Sequence, residues 1–206
     1  MTQSERTEIT KAKILAAAEA EFSEKGLFGA RIDEIAEAAG VNKRMIYEHF
    51  SNKECLYKTV LSGVYSRLAE YESRYYSSDI QPDAAIRNIV HVSFNFLEKN
   101  PTFVRMLMWE NLHGGRNLEA DGVAEMKNPT IKYIKDKIRE GKAMGIFSNE
   151  VDEEQTVISL LNFEFSYFSN MYTLSGILGT DLSDSVEISK RAAFVSDMFI
   201  KYLRAD

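Results

Sequence analysis

Cysteine is nearly absent: Cys55 is the only one among 206 residues. That excludes a disulfide framework within one chain and a zinc site built on thiolates. Histidine is scarce as well. His49, His91 and His113 stand far apart, without a carboxylate–histidine metal spacing, a phosphate-binding glycine loop or a nucleophile motif. No metal, cofactor or enzyme activity is therefore expected. No apolar run reaches the roughly 20 residues of a membrane span. The opening Met1-Thr2-Gln3-Ser4-Glu5-Arg6 has no apolar segment, so a soluble, cytoplasmic protein without a secretory signal is expected. Positive charge is not in surplus: 25 Lys and Arg face 31 Asp and Glu, a net charge of −6. That excludes an indiscriminate coat for nucleic acid, but not a reader that uses a few well-placed cations.

Proline is rare too, at Pro82, Pro101 and Pro129 only. Each stands where a helix can begin, because the first helical position needs no N–H. Most of the 11 glycines cluster at places where helices can end. With 45% hydrophobic residues and no low-complexity stretch, the chain reads as globular and all-α.

Residues 7–25 show a helical stripe of Ile14, Leu15, Ala18 and Phe22, closed by Gly26. A short helix follows, with Ile32, Ile35, Ala36 and Ala39 on one face. Gly40 and Val41 come next, and Met45, Ile46 and Phe50 resume a helical face. Two short helices about a glycine turn make a helix-turn-helix. Ala36 is small where the second helix crosses, Gly40 permits the left-handed turn, and Val41 and Ile46 plug the wedge. Ser51-Asn52-Lys53-Glu54 reads as a capping box that opens a long helix to about Tyr76. Cys55 reads as a small apolar filler on its buried face.

Further helices are expected over 82–99, from Asn100-Pro101 to before Gly114, over 129–143, over 152–172 and over 184–203. The stretch 116–128 carries no clear pattern. Phe163, Phe165, Tyr167, Phe168 and Tyr172 crowd the penultimate helix, and Ile188, Ala192, Val195, Phe199 and Leu203 stripe the last. Phe194, Met198, Ile200 and Tyr202 add apolar surface on its other faces, which points to a subunit interface. Phe103 to His113 is the richest candidate for a ligand lining, by its Met and aromatic content, although Trp and Met in such a stretch more often simply fill core. Arg105, Trp109, Phe163 and Tyr167 are taken as the pocket wall. Arg105, Glu110 and His113 can alternatively pair with one another.

The segment from Gly29 to Glu54 resembles the DNA-binding signature of the tetracycline-repressor (TetR/AcrR) family, and the likeness is specific over roughly residues 7–60. The resemblance implies an N-terminal three-helix DNA-binding domain over 1–56 and a helical effector-binding and dimerisation domain over 57–206. It implies a homodimer through the last two helices, bound to double-stranded operator DNA and governed by a small-molecule effector. The second motif helix would enter the major groove. Tyr47, His49 and Lys53 match positions that touch the DNA backbone. Asn42, Lys43 and Arg44 begin the recognition helix.

Three residues depart from the family pattern. Arg31 stands where Thr or Ser usually caps the first motif helix, Arg44 where a small residue is usual, and Glu48 puts an anion near the DNA face. Residues 1–56 carry a net −2, so Glu19, Glu21, Glu24, Glu34 and Glu37 are expected to face away from DNA. Binding should then depend on operator fit and be weak on random DNA. The expected function is a ligand-responsive regulator, a repressor released by an inducer. The alternatives are an activator of the same fold, or a helical small-molecule carrier or enzyme that never meets DNA.

Overall fold

The computed structural model describes residues 2–118 and 123–204. Among them are nine α-helices and one isolated antiparallel bridge, Phe147 to Arg204, so the expected all-α class is the observed one. The helices are α1 (Gln3–Gly29), α2 (Ile32–Ala39), α3 (Lys43–Phe50), α4 (Lys53–Ser73), α5 (Pro82–Lys99), α6 (Pro101–Leu112), α7 (Val123–Ala143), α8 (Glu153–Leu178) and α9 (Ser185–Leu203). Among the described residues no helix is long and apolar enough to cross a membrane.

The chain forms two compact units, Met1–Ser66 with Thr102–Val123, and Arg67–Pro101 with Ala124–Asp206. In the first, the α1 stripe of Ile14, Ala18 and Phe22 is fully buried, and Phe22 meets Tyr57 of α4 edge to face at 5.0 Å. Ile32, Ile35, Ala36 and Ala39 of α2 are all buried, as their spacing requires. Gly40 takes φ 65, and the N–H groups of Gly40 and Val41 donate to the carbonyls of Glu37 and Ala36. Those two bonds are a Schellman motif, which satisfies the last carbonyls of α2 and turns the chain into α3.

In the second unit α5 packs against α8 and α9. Ile86, Ile89, Val90 and Phe94 of α5 are buried with Ile188, Ala192, Val195 and Phe199 of α9. Polar groups are buried here as well. Thr130 donates to the Glu72 carboxylate at 2.5 Å, and Lys137 donates to the carbonyls of Ser78 and Ile80, both at 2.7 Å. Tyr76 stacks on Tyr133 with centroids 4.6 Å apart.

Several boundaries differ from those expected. α1 does not end at Gly26 but kinks there and runs on to Gly29; it begins at Gln3 with a capping box between Thr2 and Glu5. Ser51 is not the cap of α4. It lies at the C-terminus of α3, and the Asn52 side chain instead accepts the Cys55 N–H at 2.7 Å. Pro129 does not open a helix but lies inside α7, which begins at Val123. One missing backbone donor near the start of a long helix is outweighed by the bonds that follow it. Of the patternless stretch 116–128, residues 119–122 lie outside the described ones. α8 runs past Tyr172 to Leu178 and is capped by Gly179 at φ 67. Cys55 is exposed, not a buried filler.

Candidate nucleic-acid interface

Ile46 and Phe50 bury one side of α3, and residues 43, 44, 47 and 48 are exposed on the other. The hydrophobic spacing of the motif thus chooses which side chains remain free for a partner. Asn42 starts the helix: its side chain accepts the Met45 N–H at 2.9 Å. Capping employs its acceptor oxygen and leaves the amide N–H groups exposed. Arg31, at the corresponding place before α2, makes no side-chain cap, and its backbone N–H donates to Glu21 at 3.1 Å.

The cations differ in how they are held. Lys43 pairs with Asp33 of α2 at 2.9 Å, and that hydrogen bond raises the ammonium pKa. Lys53 is half-buried and donates to the Ala30 carbonyl at 3.2 Å. Arg44 is the most exposed of the three, and its Nε donates to Glu48, one turn on, at 2.7 Å. Tyr47 is exposed, while His49 is half-buried with its ring 6.2 Å from that of Phe50. Three of the acids named above, Glu19, Glu21 and Glu34, have local partners, while Glu24 and Glu37 are exposed. Glu21 and Glu34 both pair with Lys25, raising its pKa and lowering that of Glu34, and Glu19 accepts from Thr102 at 2.5 Å. Lys25 thus offsets one of the two carboxylate charges it pairs with, and the cluster as a whole carries −1 instead of −2.

The four expected pocket residues separate into pairs. Phe163 and Tyr167 line an open groove of about 570 Å³ together with Leu174, Leu178, Lys190 and Arg191. Arg105 and Trp109 do not line it; both belong to the other compact unit. Arg105 is exposed, and the Trp109 indole donates to the Ser23 carbonyl at 3.3 Å. Nor do Arg105, Glu110 and His113 pair with one another. Glu110 is buried and accepts from the Tyr57 hydroxyl at 2.7 Å and from the Asn117 backbone at 3.1 Å, while His113 Nδ1 lies 2.8 Å from the Trp109 carbonyl. Nothing in the local sequence signals the Tyr57–Glu110 bond, since the partners are 53 positions apart.

Comparison with known proteins agrees with this geometry. Residues 14–60 match the family described as bacterial regulatory proteins, tetR family, and residues 82–199 match the tetracyclin repressor-like C-terminal domain. The chain is similar to the HTH-type transcriptional repressor NicS of Pseudomonas putida, 29% identical over 203 residues, covering 98% of this chain and 96% of that one. It is also similar to an HTH-type transcriptional repressor of Streptomyces coelicolor, 32% identical over 144 residues and 70% of each chain. Among solved structures, a bacterial regulatory protein of the tetR family from Rhodococcus covers 100% of both chains with a TM-score of 0.78 at 18% identity.

Proposed function

This chain belongs to the tetR family of bacterial regulatory proteins, and we propose that it is a cytoplasmic repressor that leaves its operator when a small molecule binds. The observation that carries this is the exposed side of α3, where Lys43, Arg44 and Tyr47 stand on a helix held from behind by Ile46, Phe50 and the Gly40 turn. Two of the proteins it is similar to are transcriptional repressors, which supports the sign. In this proposal residues 1–56 read DNA and residues 57–206 bind the effector and the second subunit.

Lys43, Lys53, Arg31 and His49 contact phosphates, Tyr47 packs on the sugar–phosphate backbone, and Asn42 and Arg44 reach toward the bases. Two copies join through α8 and α9, whose Tyr172, Ile177 and Phe194 are 74%, 77% and 58% exposed. So much bare apolar surface on two neighbouring helices is what a covering partner would remove from water. Phe163 and Tyr167 form part of the effector wall. The effector acts by binding one conformer of the dimer more tightly than the other.

The test is a gel-shift titration of the full chain on DNA flanking its own gene, at several salt concentrations. A sequence-selective complex that weakens as salt rises is expected. Absence of any such complex sinks the proposal.

A further inference from the structure

We infer that Glu48 is a positioning residue for base recognition, and that it sets Arg44 to read a guanine in each half-site. The inference rests on the DNA-binding function proposed above and assigns the specificity of that surface. Arg44 and Glu48 sit one turn apart on α3, with side chains 87% and 53% exposed, joined by the 2.7 Å bond from Arg44 Nε to Glu48 Oε1. A free arginine on a surface samples many rotamers. A carboxylate on Nε fixes the plane of the guanidinium before DNA arrives, so less freedom remains to be lost on contact.

The same bond decides which donors remain. With Nε engaged, Nη1 and Nη2 have no hydrogen-bond partner among the described residues. They offer two parallel N–H groups end-on. In the major groove guanine presents two adjacent acceptors, O6 and N7, which match that pair. Adenine presents one acceptor beside an amino donor, and the donor would face the guanidinium unpaired. Glu48 itself accepts from amino groups, N4 of cytosine or N6 of adenine, and is repelled by O6 of guanine and O4 of thymine. The preference for G·C over A·T therefore comes from the Arg44 fork that Glu48 orients.

The two lysines of the face are held differently. Lys43 is tied to Asp33, and Lys53 to the Ala30 carbonyl. Each presents a point charge suited to phosphate, without the fork that reads a base edge.

The test is selection of the full-length chain on randomised duplexes, followed by gel-shift competition, for the wild type and for R44A, E48A and E48Q. The wild type should enrich guanine at one symmetry-related position per half-site. R44A should lose roughly 5- to 150-fold of the discrimination at that position, the range for one bidentate base contact. E48A should still bind but lose several-fold of the discrimination there and nowhere else. Its salt dependence should not weaken, because no phosphate contact is removed and a cation is freed. E48Q, which keeps an acceptor for Nε, should restore most of the loss. Unchanged guanine selection by E48A, or a uniform loss across all sequences, overturns the positioning role. Unchanged selection by R44A overturns the guanine assignment. A wild type that selects no sequence rejects DNA reading itself and the inference with it, which distinguishes the two failures.

Discussion

Trp109 lies on Gly26 so closely that a Cβ added there would stand 2.8 Å from the indole Cδ2. Gly26 also takes φ 64 and ψ 180, a conformation open in practice to glycine alone. One residue thus kinks α1 and makes room for the ring of α6, whose N–H donates to the Ser23 carbonyl. Replacing Gly26 with Ala adds backbone strain and a steric clash, and should cost about 2–4 kcal/mol. Urea titration followed through Trp109, the single tryptophan, measures this. An alanine variant as stable as the wild type would show that the kink and the close approach are dispensable.

Glu110 is 2% exposed, and Tyr57 supplies one of its donors. Tyr57→Phe removes that donor and leaves a buried carboxylate short of a hydrogen bond, at an expected cost of about 1–3 kcal/mol. Glu110→Gln, which keeps an acceptor for Tyr57, should be milder than Glu110→Ala. Equal midpoints for the two Glu110 variants would count against the bond.

Burial and then the Glu110 charge push the Tyr65 phenol up to about 12, and burial drives Tyr57 upward as well. An acid whose folded pKa is raised keeps its proton in the native state after the unfolded chain has lost it. Stability is therefore complete below the ordinary phenol value of about 10 and falls as pH rises from there toward 12. Tyr65→Phe should flatten part of that decline. Denaturation midpoints at about pH 9 and pH 11 would show it, and parallel declines in variant and wild type would refute it.

Ser51 takes φ 62 and ψ −55, with the Asn52 N–H donating to the Phe50 carbonyl at 2.6 Å. This is a γ-turn of the positive-φ kind, which is strained for a residue with a Cβ. Ser51 is exposed, so glycine there forfeits little packing. Ser51→Gly should stabilise the chain by about 1 kcal/mol, read as a higher melting temperature. A lower one would mean that glycine's gain in unfolded-state entropy outweighs the relief of strain.

If α8 and α9 join two copies, a carboxylate at Ile177 or Phe194 should split them. Ile177→Asp and Phe194→Asp place charge at residues that are 77% and 58% exposed. Light scattering should give the monomer mass, with helicity retained. A dimer that survives both changes moves the interface elsewhere.

Short-range rules suffice for the local architecture. Ile32, Ile35, Ala36, Gly40 and Ile46 announce two short helices about a turn, because cap, turn and burial are decided within a few residues of one another. The all-α class and the starts of α5 and α6 follow from the same short-range rules. Caps were less secure: adjacent Ser51 and Asn52 both suit an N-cap, and only the path of the chain out of α3 selects Asn52.

Where the side chains of α6 go depends on segments distant in the chain. By composition Phe103 to His113 reads equally as a ligand lining or as core. Yet Trp109 turns to Gly26 and Ser23, and Glu110 to Tyr57. Those partners lie 83, 86 and 53 positions away, and no periodicity in one segment records the shape of a distant one. The scarcity of positive charge was resolved in the same way. Composition counts the acids, but only the fold sets Glu21 and Glu34 against Lys25 and leaves Arg44 exposed on α3. Local spacing specifies helices, whereas long-range packing specifies which of their faces meet and which remain free to act.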